Sequence, residues 1–125
     1  MAMRLQRTGI EPDIWISSPA KRAFSTARRF ADVFNYDRNC ILKADELYHA
    51  SEQTLLEVVH AIHPKHNVAV IFGHNPGLTG FVNSISNLST DNIPTCGIVM
   101  LQLSSWKKAG HEQAELLLYD YPKNH

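Results

Sequence analysis

Ile71-Phe72-Gly73-His74-Asn75-Pro76-Gly77-Leu78 is the stretch from which the fold can be read. The run ahead of it, Val68 to Phe72, is β-branched and aromatic. It stops at a glycine, presents a histidine and an asparagine, and meets a proline and a glycine that open an amphipathic segment. This is a strand, a tight turn and a helix start. In an open α/β sheet such a turn lies at the carboxyl end of the strand, where ligands bind, and the free N–H groups of the helix start face an anion. The nearly continuous apolar character of 68–72 predicts a parallel strand covered on both faces.

The elements on either side follow the same alternation. Met1 to Gly9 reads as a helix ending at a glycine, and Ile14-Trp15-Ile16 as a short strand. Ser17-Ser18-Pro19 ends that strand and supplies a helix N-cap with proline at the first helical position. From Ala20 to Phe34, Ala23, Phe24, Ala27, Phe30, Ala31 and Phe34 recur at helical spacing, leaving Lys21, Ser25, Arg28, Arg29 and Asp32 on the opposite face. Cys40-Ile41-Leu42 is a strand candidate and Asp45 to Tyr48 a loop. Ser51 caps a helix that buries Leu55, Leu56, Val59 and Ile62 and is stopped by Pro64. Leu78, Phe81, Val82, Ile85 and Leu88 mark the next helix. Gly97 to Leu103 and Ala114 to Tyr119 are strands that form a hairpin or pair elsewhere. The order predicts a layered α/β domain with a mostly parallel sheet and helices on both faces.

Composition narrows the function. The 125 residues fit one domain over 1–125, with 44% hydrophobic and 19% charged residues. Lys+Arg and Asp+Glu are both 12, so no overall field draws the chain to nucleic acid or to a membrane. A secretory apolar segment is not visible at Met1 to Gly9, and no apolar run approaches the ~20 residues of a membrane span, so a cytoplasmic protein is expected. Cys40 and Cys96 fit neither a disulfide framework nor a metal site and read as free buried thiols. His60, His63 and His66 straddle a helix end at Pro64 and read as a polar face, not as metal ligands. Trp15, Tyr48 and Trp106 read as packing residues. The dinucleotide and nucleoside-triphosphate fingerprints, GxGxxG and the P-loop, are absent.

Three loops carry the polar residues: Ser17 to Arg22, Asp45-Glu46, and Gly73-His74-Asn75. If their strands run parallel, the loops meet at one sheet edge and bring Arg22, His74 and Glu46 around one crevice. Arg22 is a fixed positive fork matched to phosphoryl oxygens, in a helical first turn that the macrodipole makes unfavourable for a cation. His74 can donate to a developing equatorial charge. From spacing alone, a solvated Arg22 and a His74 bound to its own turn also stay open.

Taken together, Ile16-Ser17-Ser18-Pro19-Ala20-Lys21-Arg22-Ala23, Thr26-Ala27, Glu46-Leu47-Tyr48, Gly73-His74-Asn75-Pro76-Gly77-Leu78, Pro94-Thr95-Cys96-Gly97 and the ending Leu116 to Lys123 resemble the SixA-type phosphohistidine phosphatases of the histidine phosphatase superfamily. The resemblance covers essentially the whole chain. It implies a phosphoglycerate mutase-like αβα sandwich and hydrolysis of phosphohistidine proteins or small phosphate esters through a covalent phosphohistidine, with no metal or cofactor. Matched by motif, Arg22 and His74 are phosphate-binding and catalytic residues, with Ser18 and Asn75 beside them. Glu46 stands near the position of a leaving-group acid that the SixA branch often does without.

One part of the family pattern has no counterpart. The family nucleophile lies in an Arg-His-Gly motif after the first strand, and this sequence contains no Arg-His pair. Residues 1–9 resemble the helix that follows that region, so the resemblance implies a domain without its first strand, its nucleophile and one arginine. Three accounts are open: a reading frame that starts upstream, a truncated relative that binds phosphate or a phosphoprotein without turning it over, or self-association through the missing-strand edge. An unrelated flavodoxin-like domain, with Gly73 to Gly77 only a turn, is a further reading.

Overall fold

Ile14-Trp15-Ile16-Ser17 forms β1, a four-residue strand in which Trp15, Ile16 and Ser17 are buried. In the computed structural model, which describes residues 1–124, β1 is the central strand of a three-stranded parallel sheet. On one side lies β2 (Leu42–Lys43) and on the other β3 (Ala69–Phe72). Ser17 is in register with Lys43 of β2 and with Phe72 of β3, so the three strands end level. Asp13 fixes the other end: its carboxylate accepts hydrogen bonds from the N–H groups of Asn67 (2.9 Å) and Val68 (3.0 Å).

The sheet belongs to a compact unit made of residues 2–49 and 65–74. Helix α1 (Ala2–Arg7) ends at Gly9, whose φ of +82° favours glycine at a helix C-terminus. Helix α2 (Lys21–Val33) buries Ala23, Ala27, Phe30 and Ala31. Trp15, 1% exposed, stacks on Tyr36 at 4.8 Å and on Phe72 at 6.0 Å, and meets the edge of Phe34. Phe30 closes the cluster edge-on to Phe72.

A second unit comprises residues 50–64 and 75–124. Ser51 caps α3 (Glu52–His60) by accepting the Thr54 N–H at 3.2 Å. Helix α4 (Gly77–Ile85) packs on α3, and its start lies so close to the segment ahead of α3 that a Cβ on Gly77 would overlap the Ala50 carbonyl. Strands β4 (Ile98–Gln102) and β5 (Glu115–Asp120) form an antiparallel hairpin, which settles the pairing left open by the sequence.

Several expectations need correction. Strand β3 is half-buried along its length, because it pairs only with β1 and lies at the edge of its sheet. Arg38–Cys40 is a 3-10 turn and the strand begins only at Leu42. Helix α4 stops at Ile85: the Ser86 hydroxyl donates back to the Val82 carbonyl at 2.7 Å, and Ser86 bridges to Ala114. Both cysteines are free but exposed, since they lie in turns and not in strands. Tyr48 is 56% exposed, so it packs at the edge and not in the core.

Candidate functional site

The level ends of β1 and β3 bring the site together. Ser18 continues the ladder past β1 by donating its N–H to the Phe72 carbonyl at 2.8 Å, which sets it beside the turn holding His74. Its Oγ lies 2.9 Å from His74 Nε2 and accepts the Ala20 N–H at 3.2 Å. The chain reverses direction across the sheet at β1, since β2 lies on one side and β3 on the other. Ser18 and His74 therefore flank the topological switch point, where α/β sheets bind ligands.

This geometry revises the role of Ser18. Proline does not open α2; its N-cap is Ala20, and no side chain caps the helix. The hydroxyl expected to cap holds the Ala20 N–H ahead of the helix and also meets His74. The pair always leaves one donor hydrogen outside its own bond. If His74 carries its proton on Nδ1, that N–H is free for a ligand; if on Nε2, it donates to Ser18, whose own O–H is released. A doubly protonated ring offers both. The 2.9 Å separation also fits a nucleophile and base, but Ser18 is fully buried, and among the described residues no carboxylate orients Nδ1.

Two aromatic residues complete the wall around His74. The chain beyond β2 makes a 3-10 turn at Asp45–Leu47, anchored by buried Leu47, and delivers Tyr48 and His49. The Tyr48 ring stands edge-on to His49 at 4.4 Å and to His74 at 6.2 Å, while His49 lies 6.1 Å from His74. His49 has a φ of +53°, a left-handed conformation that costs a non-glycine residue some strain. Burial pushes the His74 pKa below its ordinary value, and the neighbouring His49 lowers it further. Neutral imidazole is thus the resting form of His74 at pH 7.

The remaining expected residues are placed as follows. Arg22 lies in the first turn of α2, four residues after Ser18, with its side chain exposed and no hydrogen-bond or ion-pair partner among the described residues. Glu46 is exposed in the 3-10 turn ahead of Tyr48. The Asn75 side chain serves its own unit: Oδ1 accepts from the Thr79 N–H (3.1 Å) and hydroxyl (2.6 Å), and Nδ2 donates to the Ile93 carbonyl (2.9 Å). His49 was not singled out in the sequence. Its only signal there is its place directly after Glu46-Leu47-Tyr48 in a loop expected at the same sheet edge. Among the described residues no group of three or more His, Cys, Asp or Glu is placed to hold a metal ion.

Solved structures with the same fold exist. One, provisionally named phosphohistidine phosphatase SixA from Agrobacterium tumefaciens, superimposes with a TM-score of 0.76 at 22% identity, covering 97% of this chain and 74% of that one. Another, provisionally named phosphohistidine phosphatase SixA from Nakamurella multipartitia, gives 0.68 at 17% identity, covering 97% and 79%. The fold of this chain is therefore the phosphoglycerate mutase-like α/β fold of those proteins. No protein-family model and no curated protein matches the sequence.

Proposed function

We propose that this chain is a phosphoryl-binding domain of the phosphohistidine phosphatase type, whose Arg22, Ser18 and His74 hold the phosphoryl group of a phosphohistidine protein or a small phosphate ester. The observation that carries this reading is the 2.9 Å Ser18–His74 pair at the level ends of β1 and β3. It leaves one donor hydrogen outside the pair in either tautomer, the Nδ1–H of His74 being the one on the less buried residue. Arg22, with no internal carboxylate competing for it, supplies the charge and a bidentate fork. The fold shared with proteins named for phosphohistidine hydrolysis supports the same substrate class.

Turnover is a separate matter. In the family that the sequence resembles, a histidine in Arg-His-Gly attacks phosphorus, and these 125 residues contain no Arg-His pair. His74 is a poor replacement, because a group donating to the phosphoryl from its side is not in line to attack it. These residues alone are therefore assigned impaired catalysis, by several orders of magnitude relative to a complete covalent mechanism. Glu46 is the candidate leaving-group acid, with little demand on it when the leaving group is imidazole. Asn75 retains a second Nδ2 hydrogen for a ligand. The scheme needs no metal or cofactor, and a cytoplasmic setting suits a phosphoprotein substrate; no described helix is long and apolar enough to cross a membrane.

A second reading, carried by the same Ser18–His74 pair, is a non-catalytic module that binds phosphate or a phosphoprotein. Pairing through the free edge of β3 with a strand of another copy belongs to this reading. Calorimetric titration with tungstate tests the site itself. Arg22→Ala and His74→Ala should each weaken binding about tenfold or more without unfolding the domain; unchanged affinity in both variants overturns the assignment. Turnover of p-nitrophenyl phosphate on the same sample separates the enzyme from the module.

A further inference from the structure

The outward arc of α2 and the end of β2 carry an unbalanced charge. Lys21, Phe24, Ser25, Arg28 and Asp32 lie at i, i+3, i+4, i+7 and i+11 and so share one face of the helix, with Arg22 and Arg29 on the adjoining row. Asp32 is the carboxylate of that face, and it is held by both Arg38 Nε, at 2.7 Å, and Arg38 Nη2. Among the described residues, Lys21, Arg22, Arg29 and Lys43 have no ion-pair partner, Arg28 feels Asp32 without a direct ion pair to it, and the nearby Asp45 and Glu46 pair with none of them. The whole chain is neutral, so this is a local concentration of positive charge.

Two of these cations are held in place. Lys43 Nζ lies 4.4 Å from the centroid of the Phe24 ring, and the Arg28 guanidinium lies 5.1 Å from it. Phe24 belongs to the apolar stripe of α2 yet is only half-buried, and its accessible ring serves as the platform for both. Lys43 is in register with Ser17, the residue before Ser18, so the platform adjoins the phosphoryl site. Lys21 and Arg22 stand in a helical first turn, where the dipole opposes positive charge, so local stability does not account for them.

We propose that this basic face, built on Phe24 by Arg28 and Lys43 with Lys21 and Arg29 beside them, docks the acidic surface that surrounds the phosphoryl group of a phosphoprotein partner. The proposal rests on the reading of Ser18, Arg22 and His74 as the phosphoryl site and adds to it a selection among protein substrates. Nucleic acid is the less suitable polyanion, because the cations cluster on one helix face next to a site for a single phosphoryl group and do not form an extended track.

The test uses the full chain and synthetic peptides whose central residue is a non-hydrolysable phosphonate analogue of phosphohistidine or an unmodified histidine, flanked by aspartates or by serines. At low salt the aspartate-flanked peptides should bind about tenfold tighter than the serine-flanked ones, and ~0.5 M salt should remove the preference. Arg28→Glu/Lys43→Glu, and the milder Arg28→Gln/Lys43→Gln, should also remove it while the circular dichroism melt, and tungstate affinity measured at ~0.5 M salt where the field of the platform is screened, stay unchanged. Equal affinity for the two flanks, or a preference that survives in folded variants, overturns the docking face. The phosphonate increment, which Arg22→Ala should abolish, reports on the phosphoryl site alone, so failure of one reading is distinguishable from failure of the other. Single-stranded DNA binding as tightly as the aspartate peptide also overturns the proposal.

Discussion

His74 is the residue whose protonation the surrounding chain controls. Burial and the nearby His49 both hold its pKa below the ordinary 6.5, so at neutral pH the ring is uncharged and, with Ser18, offers one hydrogen to a ligand. Protonation adds a second donor and a positive charge. Binding of tungstate should therefore strengthen as pH falls through the depressed His74 pKa and be linked to proton uptake, which titrations in buffers of different ionisation enthalpy will reveal. NMR should place the His74 titration midpoint below 6.5. His49→Asn keeps a residue tolerant of the left-handed backbone and removes the charge, so the His74 midpoint should rise; an unmoved midpoint contradicts coupling between the rings. For stability the sign is fixed. Because the folded pKa is depressed, the unfolded chain binds the proton more readily, so His74 costs stability as pH falls from 6.5 to its folded pKa and no further below it.

At the scale of the element, two short contacts position whole segments. Asp13 ties the start of β1 to the start of β3 through the N–H groups of Asn67 and Val68. Burial raises its pKa, but those two N–H donors and His66 outweigh burial, and the net shift is downward from 3.8. The stability Asp13 supplies is therefore present above pH 3.8 and lost as pH falls through the lower folded value. Asp13→Ala should cost about 1–2 kcal/mol in urea unfolding at pH 7, and the loss should shrink toward pH 2. Gly77 sets α4 against the Ala50 carbonyl, and Gly77→Ala should cost about 2–3 kcal/mol through overpacking. Asn75→Ala removes the acceptor of the Thr79 N–H and hydroxyl and the donor to Ile93; it should lower stability by about 2 kcal/mol and weaken tungstate binding far less than His74→Ala.

Across the whole molecule the sheets remain small and their edges open. Among the described residues β1 is paired on both sides, while β3 has a strand neighbour only in β1, and β4 and β5 have only each other. Native-state hydrogen exchange should therefore be slowest in β1, at Trp15, Ile16 and Ser17, and faster at the β3 amides that face away from β1. If a further strand adds to β3, as the second functional reading allows, those outward amides should become protected in a concentration-dependent way. Protection that is independent of concentration from the start argues against pairing between copies. The open edge also explains why β3, apolar enough for an interior strand, is only half-buried.

The alternation of apolar runs, the Ser51 cap, the Gly9 stop and the parallel strands of the first unit were legible in the sequence, because propensity, capping and periodicity act over a few residues. The convergence of three loops was legible too, since it follows from parallel strands alone. Other features depended on which strand neighbours which, and local sequence does not carry that information. The register of β1 with β3 turns Ser18 from a helix cap into the partner of His74. The 3-10 turn after β2 brings Tyr48 and His49 against His74, and the edge position of β3 denies it the cover that its composition suits. Asn75 reads as a ligand residue in the motif, and the approach of Thr79 and Ile93 gives its Oδ1 and one Nδ2 hydrogen the further task of holding α4. Sequence by itself determined the elements and the candidate chemistry of Arg22 and His74; the tertiary structure decided which polar groups meet, because hydrogen bonds between residues distant in sequence are set by strand register and packing.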